Sequence, residues 1–504
     1  TKKTYTVRVS VTNGTSSPTS RTVSHGSSTT FTVTPNSGYE YESLSCTGGS
    51  YNPSTKVLTV SNVASDIACT INFKPSKLDT SGANAPDLLQ GLIPIMYKNN
   101  TWVKADEKNK NSNYQWYNYD NQMWANAVLV NASSRSTYEN ASVGTVIKEN
   151  DILAYYVWIP RYKYKLFNAP KTAGTDFYNA RTKGIDIVFE SGTNSTGIVK
   201  CSVSYYGKEN CTGATNGAYY THPAFTFGST ELKGIWVGKF ELTGSTTIKP
   251  NKTSLRDLNV ATMSSRISRI SGSGSGYGIN SSEADSHMMK NMEWGAVAYL
   301  TNSRYGRCLN GKCTEIGINN NRNYITGCGA SPGSSSSTSC NAYTTATGML
   351  ASTTGNIYGI YDMSGGAVEY VMGDMVSNRG VLMMSGFSST SNSGYNGIIY
   401  SDGKYTAYSN GIDYPDIKYY DRYPFESSFN VGTRGHLGDA TSEIIVSGNN
   451  GWNNEYAYFV NSTKPWLQRG GNAYAGSSAG MFYFYNNNGG ANSSGSGRAV
   501  LVRK

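Results

Sequence analysis

Eight cysteines, spaced as four close neighbours, constrain this chain more than any other feature of its sequence. Cys46 precedes Cys69, Cys201 precedes Cys211, Cys308 precedes Cys313, and Cys328 precedes Cys340. An even count in locally closable loops reads as four disulfides, and disulfides persist only in oxidising compartments. Zinc is the rival reading, but it asks for paired C-x2-C spacings, and the sequence has none. The chain is therefore expected outside the cytosol.

Its 504 residues exceed what one hydrophobic core supports, so two or three units are expected. With 55 Gly and 39 Tyr against 14 Pro, short strands joined by many turns are favoured over helical bundles. The expected fold class is mainly β with few helices. No run of eighteen apolar residues occurs and the opening is not basic-then-apolar, so neither a membrane span nor a signal peptide is expected, as in a mature or trimmed product. The net charge of +10 comes from 43 Lys and Arg against 33 Asp and Glu. These cations are scattered rather than gathered in a stripe, which argues against a nucleic-acid partner.

Residues 1–74 alternate apolar and polar positions, as in Tyr5-Thr6-Val7-Arg8-Val9 and Thr30-Phe31-Thr32-Val33, with turn signals at Asn13-Gly14, Pro35-Asn36 and Gly48-Gly49. This reads as a small β-sandwich, and TVTPNSGYEYESLSCTGGSYN resembles the repeats that serve as spacers in bacterial surface proteins. Residues 75–90 lose the alternation and read as an exposed linker. Residues 91–150 hold Trp102, Trp116, Tyr117, Tyr119 and Trp124 and read as a small aromatic-rich β-unit, its rings serving packing rather than sugar stacking. Residues 151–504 read as one large α+β domain with two helices, near Met288 to Thr301 and near Asn341 to Ala351. Elsewhere short apolar bursts such as Tyr155–Pro160, Gly234–Phe240 and Gly380–Met384 stand between long Gly, Ser and Asn loops, and SGSGSGYG around Ser273 reads as a low-complexity loop.

Within that last stretch VWIP (157–160), IWVGKFELTG (235–244), NMEWGAVAYLTN (291–302), NIYGIYDMSGGAVEYVMGD (356–374), RGG (469–471) and GRAVLVRK (497–504) stand in one order. That order resembles the formylglycine-generating-enzyme-like branch of the C-type lectin fold. Gly366, Val368 and Tyr370 depart from the family pattern, where Asn and aromatic residues are usual. The ending resembles more closely the variable proteins of diversity-generating retroelements, through Trp452, YFV (458–460), PWLQRGG (465–471), AGMFYF (479–484) and GRAVLV (497–502). In that family mutagenic reverse transcription rewrites the C-terminal segment at template adenines. An AAC or AAT codon treated this way gives Asn, Tyr, Ser, Asp, Gly and others, never a stop.

The resemblance implies a variable ligand-binding segment over about 447–498. Its candidate contact residues are Asn449, Asn450, Asn453, Asn454, Tyr456, Asn461, Asn472, Tyr474, Ser477, Tyr483, Tyr485, Asn486, Asn487, Asn488, Asn492 and Ser493. Alternation in AGMFYFYN independently places Phe482 and Phe484 on one face and Met481, Tyr483 and Tyr485 on the other. Tyr474, Tyr483, Asn486 and Asn492 are expected on one exposed face, over buried Trp466, Phe482, Phe484 and Val500. Surfaces rich in Tyr, Ser, Asn and Gly are what antibody paratopes use, since Tyr brings large contact area with only two side-chain torsions.

Catalysis is not expected. The formylglycine-forming oxidase uses a C-terminal cysteine pair, and no cysteine follows Cys340. His25, His222, His287 and His436 stand far apart with no metal-ligand spacing, and His222 reads as a packed structural residue. GSSAG (476–480) satisfies G-x-S-x-G around Ser478, but a strand-like MFYFY follows where a nucleophile elbow needs a helix. No cofactor is expected; Asp413, Asp416 and Asp421 are weak Ca2+ candidates without EF-hand spacing.

The leading reading is a secreted, non-catalytic, adhesin-like display protein, attached to a pilus or cell envelope and binding a protein or glycan on another cell or host surface. Second is a phage receptor-binding protein of the same fold, displayed on the virion. The disulfides weigh against it, because virion proteins usually fold in a reducing cytosol. Third is a divergent formylglycine-generating-type enzyme, which stoichiometric copper or iron in the purified protein would support.

Overall fold

The computed structural model describes residues 2–36, 39–75, 78–110, 113–244, 247–272, 277–376, 415–425 and 435–504, and the backbone alone of 387–388, 398–401, 404–407 and 412–413. Gly380–Met384 and residues 273–276 lie outside the described residues. The chain is mainly β and divides into two compact units.

The first unit, Thr1–Ser81 with Asn118–Asn121, is the expected sandwich. One sheet runs Ser20–Ser24, Thr4–Thr12, Ile67–Pro75, Tyr39–Ser45, and the other Gly14–Ser17, Thr29–Pro35, Val57–Val60, Gly49–Asn52. The period-two pattern turns Val7, Val9, Phe31, Val33, Leu58, Val60, Ile71 and Phe73 into a single core between the sheets. Asn13 takes a left-handed conformation (φ 59°) where the chain passes from Thr4–Thr12 in one sheet to Gly14–Ser17 in the other.

The second unit holds Gly82–Tyr117 and Gln122–Lys504. Its larger sheet has seven strands in the order Thr101–Lys104, Leu92–Lys98, Asn126–Val130, Ile152–Pro160, Gly234–Gly238, Ala499–Arg503, Ala284–Met288. Residues 91–150 are thus not a separate unit: three of their strands are hydrogen-bonded into this sheet, and Asn126–Val130 pairs directly with Ile152–Pro160. Their tryptophans are buried, as packing required, with the Trp116 indole donating to the Asn126 carbonyl at 2.7 Å and that of Trp102 to the Tyr343 hydroxyl at 2.9 Å. Nor is all of 75–90 an exposed linker. Indoles of Trp158 and Trp236 donate to the carbonyls of Asn84 (3.1 Å) and Asp87 (2.8 Å), and Leu89 is buried. Backbone carbonyls there satisfy buried indole donors, and the Asn84 side-chain amide in turn donates to the Gly192 (2.8 Å) and Lys233 (2.9 Å) carbonyls.

Four α-helices are present among the described residues, Arg135–Asn140, Thr175–Lys183, Val260–Ser268 and Asn291–Thr301, against the two expected. The last matches the expected helix near 288–301, but Ala284–Met288 is strand; the helix opens with the Glu293 carboxylate accepting the Lys290 N–H at 2.8 Å and is buried throughout. Near 341–351 only a 3-10 turn, Gly348–Ala351, forms. Threonines prevent more: the Thr345 hydroxyl accepts the Gly348 N–H at 3.0 Å, so side chains take the bonds a helix needs.

A second sheet carries the C-terminal segment. It runs Asp421–Tyr423, Val368–Met375, Trp466–Gly470, Gly480–Asn487, with Gly495–Gly497 also paired to Val368–Met375. All eight cysteines are paired in the four expected disulfides, Cys46–Cys69, Cys201–Cys211, Cys308–Cys313 and Cys328–Cys340. No helix among the described residues is long and apolar enough to cross a membrane.

Candidate ligand-binding face

Strand Gly480–Asn487 builds the face on its antiparallel partner Trp466–Gly470, with Arg469 opposite Phe484 and Gln468 opposite Tyr485. Alternation sends Phe482 onto Trp452, ring centroids 4.6 Å apart, and Phe484 edge-on to Phe459 at 6.2 Å. Trp466, Phe482, Phe484 and Val500 are all buried, as expected. Beneath them the Arg469 guanidinium is held between the rings of Trp294 (5.5 Å) and Phe484 (5.6 Å), and burial lowers its pKa to about 10.

The opposite side of the strand departs from expectation. Tyr483 is 8% exposed, because residues 456–458 run alongside: Tyr458 N–H donates to the Phe484 carbonyl at 2.9 Å and Phe484 N–H to the Tyr456 carbonyl at 3.0 Å. The rings of Tyr456, Tyr458, Tyr483 and Tyr485 consequently form one cluster. Tyr483 stacks on Tyr485 at 6.3 Å, Tyr458 lies 5.1 Å from Tyr485, and Tyr456 lies 6.4 Å from Tyr483. Tyr456 is the exposed member and Tyr485 is half-buried. Burial pushes the Tyr483 hydroxyl pKa up, aided by Tyr485.

Asn486 and Asn461 are buried too, against expectation. The Asn486 amide donates to the Phe459 carbonyl at 2.8 Å, and the Asn461 side-chain oxygen accepts the N–H groups of Thr463 and Lys464, each at 2.9 Å. Both are spent on backbone. Asn449, Asn450, Asn454, Tyr456, Tyr474, Ser477, Asn488 and Ser493 are exposed, while Asn453, Asn472, Tyr485, Asn487 and Asn492 are half-buried. Several of these asparagines build turns: Asn472 accepts the Tyr474 N–H at 3.0 Å, Asn488 that of Gly490 at 2.9 Å, and Asn492 that of Ser494 at 2.9 Å. Part of the asparagine enrichment therefore has a plain structural use.

Two neighbours escaped the sequence reading. The Tyr324 ring lies 6.2 Å from that of Tyr474, and the Arg256 guanidinium sits 4.2 Å over Tyr324. Both come from distant loops, so no local pattern could have joined them to Tyr474.

Residues weighed for catalysis or metal binding serve other bonds. Ser478 closes a 3-10 turn, Gly476–Ser478, that leads into a strand rather than a helix. His222 is buried, its Nε2–H donating to the Gly438 carbonyl at 2.9 Å and its Nδ1 accepting from Ala224 at 3.3 Å; burial lowers its pKa to about 3. His287 lies between Asp285 (3.0 Å) and Glu293 (2.9 Å). Burial opposes its charge, but Glu293 and Asp285 raise its pKa to about 9. His436 contacts the Arg422 carbonyl at 2.7 Å, and the His25 ring lies 5.9 Å from that of Tyr5. Asp416 caps Lys418 at 3.1 Å and Asp421 accepts the Met292 N–H at 2.6 Å; the Asp413 side chain lies outside the described residues. Among the described residues, only Cys201, Glu209 and Cys211 bring three potential metal ligands together, and both sulfurs are already in a disulfide.

Residues 5–77, well under half of the chain, match the model of the divergent InlB B-repeat domain. The first unit is thus a bacterial surface-type β-repeat module, and with four disulfides the chain fits an extracellular surface protein. No curated protein matches the chain.

Proposed function

We propose that this chain is a secreted, non-catalytic display protein whose segment 447–498 binds ligands on a C-type-lectin-like scaffold and is diversified by a retroelement. One observation carries the reading. Positions that would be held constant, namely Trp452, Phe459, Trp466, Phe482 and Phe484, are buried, while ten of the thirteen Asn, Tyr and Ser positions named above as exposed or half-buried are asparagine or serine. A surface that must accept many residues needs its stability elsewhere, and this division supplies that. The surface-repeat module suits the role of a spacer that carries the binding unit away from its anchor.

Sequencing the locus tests the reading. The expected finding is a nearby reverse-transcriptase gene with a near-copy of the last coding segment, differing at adenines and mainly at codons for Asn449, Asn454, Tyr456, Tyr474, Asn488 and their exposed neighbours. A locus with no such copy, and an invariant segment across isolates, overturns the retroelement part. Binding would then be judged on its own.

A further inference from the structure

Away from that face, four of the thirteen large apolar side chains exposed among the described residues fall within one short stretch: Ile198 (72% exposed), Val203 (36%), Tyr205 (40%) and Tyr206 (56%). The stretch leads into a hairpin, Lys200–Val203 paired with Glu209–Thr212, in which Cys201 faces Cys211 and is disulfide-bonded to it. Its turn is tight. Ser204 N–H donates to the Lys208 carbonyl at 2.8 Å, Gly207 N–H to the Ser204 carbonyl at 2.9 Å, and Lys208 N–H to the Ser204 hydroxyl at 3.1 Å. Gly207 (φ 75°) sits so close to the backbone of Tyr423 that a Cβ would lie 2.5 Å from its carbonyl carbon, which seats the base of the turn. Residues Ser202–Tyr206 are nonetheless all exposed, and the two tyrosine rings meet edge to face at 5.4 Å.

The two exposed charged side chains of this hairpin are both basic. Lys200 and Lys208 are exposed, whereas the Glu209 carboxylate accepts the Leu437 N–H at 3.0 Å and is turned inward. We propose that the hairpin is a peripheral contact for an anionic lipid bilayer: tyrosine, isoleucine and valine enter the headgroup boundary, and the two lysines meet lipid phosphates. Tyrosine suits that boundary because its ring is apolar and its hydroxyl stays wet, and each lysine near an anionic surface adds to the attraction. A bilayer fits better than a protein. A stable protein interface buries roughly 1,200–2,000 Å2 in total, which a single hairpin tip does not offer, and a convex knob needs no complementary pocket in a fluid surface. The disulfide and the tight turn keep the knob ordered beforehand, so little freedom is lost on contact.

The test is co-sedimentation of the full chain with vesicles of phosphatidylcholine alone and of phosphatidylcholine mixed with phosphatidylglycerol, at low and raised salt. Binding is expected only to the mixed vesicles and is expected to weaken with salt. Tyr206→Ser with Ile198→Ser should lower it by roughly tenfold, and Lys200→Gln with Lys208→Gln should remove its salt dependence. These positions are exposed, so an unchanged melting temperature and the absence of free thiols should confirm folded variants. Equal binding by the Tyr206/Ile198 variant, equal binding to neutral vesicles, or no vesicle binding at all overturns the proposal. Loss of self-association in that variant without vesicle binding would assign the knob to a protein contact instead, and equally overturns it.

Discussion

The ring of Phe482 lies 4.6 Å from that of Trp452, and both are buried under the strand that carries Tyr483 and Tyr485. Truncating a buried phenylalanine costs about 3–5 kcal/mol, whereas changes at exposed positions usually stay within about 0.5 kcal/mol. Phe482→Ala is therefore expected to lower the midpoint of urea unfolding severely, and Tyr474→Ala, at a side chain 57% exposed, to leave it nearly unchanged. Tyr483→Ala should behave like a core change, because the Tyr456 and Tyr485 rings pack against it and leave it 8% exposed.

Glu369 and Arg498 form a buried ion pair, Arg498 Nε to Glu369 at 3.0 Å, and the same guanidinium donates to the Gly238 carbonyl at 2.7 Å. The pair thus ties the second sheet, through Glu369, to the seven-stranded sheet, through Gly238. Removing one partner leaves a buried charge uncompensated, at about 3–5 kcal/mol. Glu369→Leu and Arg498→Met are each expected to destabilise strongly, and the double variant to recover part of the loss. A double-mutant cycle read by denaturant unfolding checks this.

Two histidines set opposite pH limits on stability. His287 has its pKa raised to about 9, so its contribution is complete below the unfolded value of about 6.5 and is lost as pH rises towards 9. His222 has its pKa lowered to about 3, so its contribution is complete above about 6.5 and is lost as pH falls towards 3. Melting temperature against pH should fall on both sides; His287→Gln should flatten the alkaline limb and His222→Gln the acid limb.

Disulfide removal should follow loop length. Cys328 and Cys340 are separated by 12 residues and Cys308 and Cys313 by 5. In the chain-entropy account the longer loop contributes more, about 3 kcal/mol. Alanine pairs at 328/340 are expected to lower the melting temperature of the second unit further than alanine pairs at 308/313.

Much of this was legible in the sequence, for identifiable reasons. Alternation placed the sandwich strands and the faces of Gly480–Asn487, because a period of two fixes which side a residue takes. Cysteine spacing gave all four disulfides, since each closes a local loop. What escaped depended on remote chain. Tyr483 alternates outward as read, but residues 456–458 run alongside through an isolated bridge and the Tyr456 ring packs on it, and no local pattern reports a remote segment lying there. Asn461 and Asn486 look like surface residues by type, yet their amides serve backbone groups. Helix Val260–Ser268 carried a readable signal in Asn259, whose side chain caps the Thr262 N–H at 2.8 Å, though only nine residues follow it. Arg256 and Tyr324 reach Tyr474 from separate loops.

The most direct test of the display account is a saturation library over 447–498, sorted first for folded, protease-resistant protein. The account predicts two separated classes: Asn449, Asn454, Tyr456, Tyr474, Ser477, Asn488 and Ser493 accept nearly every residue, while Trp452, Phe459, Trp466, Phe482, Tyr483 and Phe484 accept almost none. If Tyr474 and Asn488 were as intolerant as Phe482, or Phe482 as tolerant as they are, the segment would not be a stable frame under a replaceable surface, and the account would be contradicted.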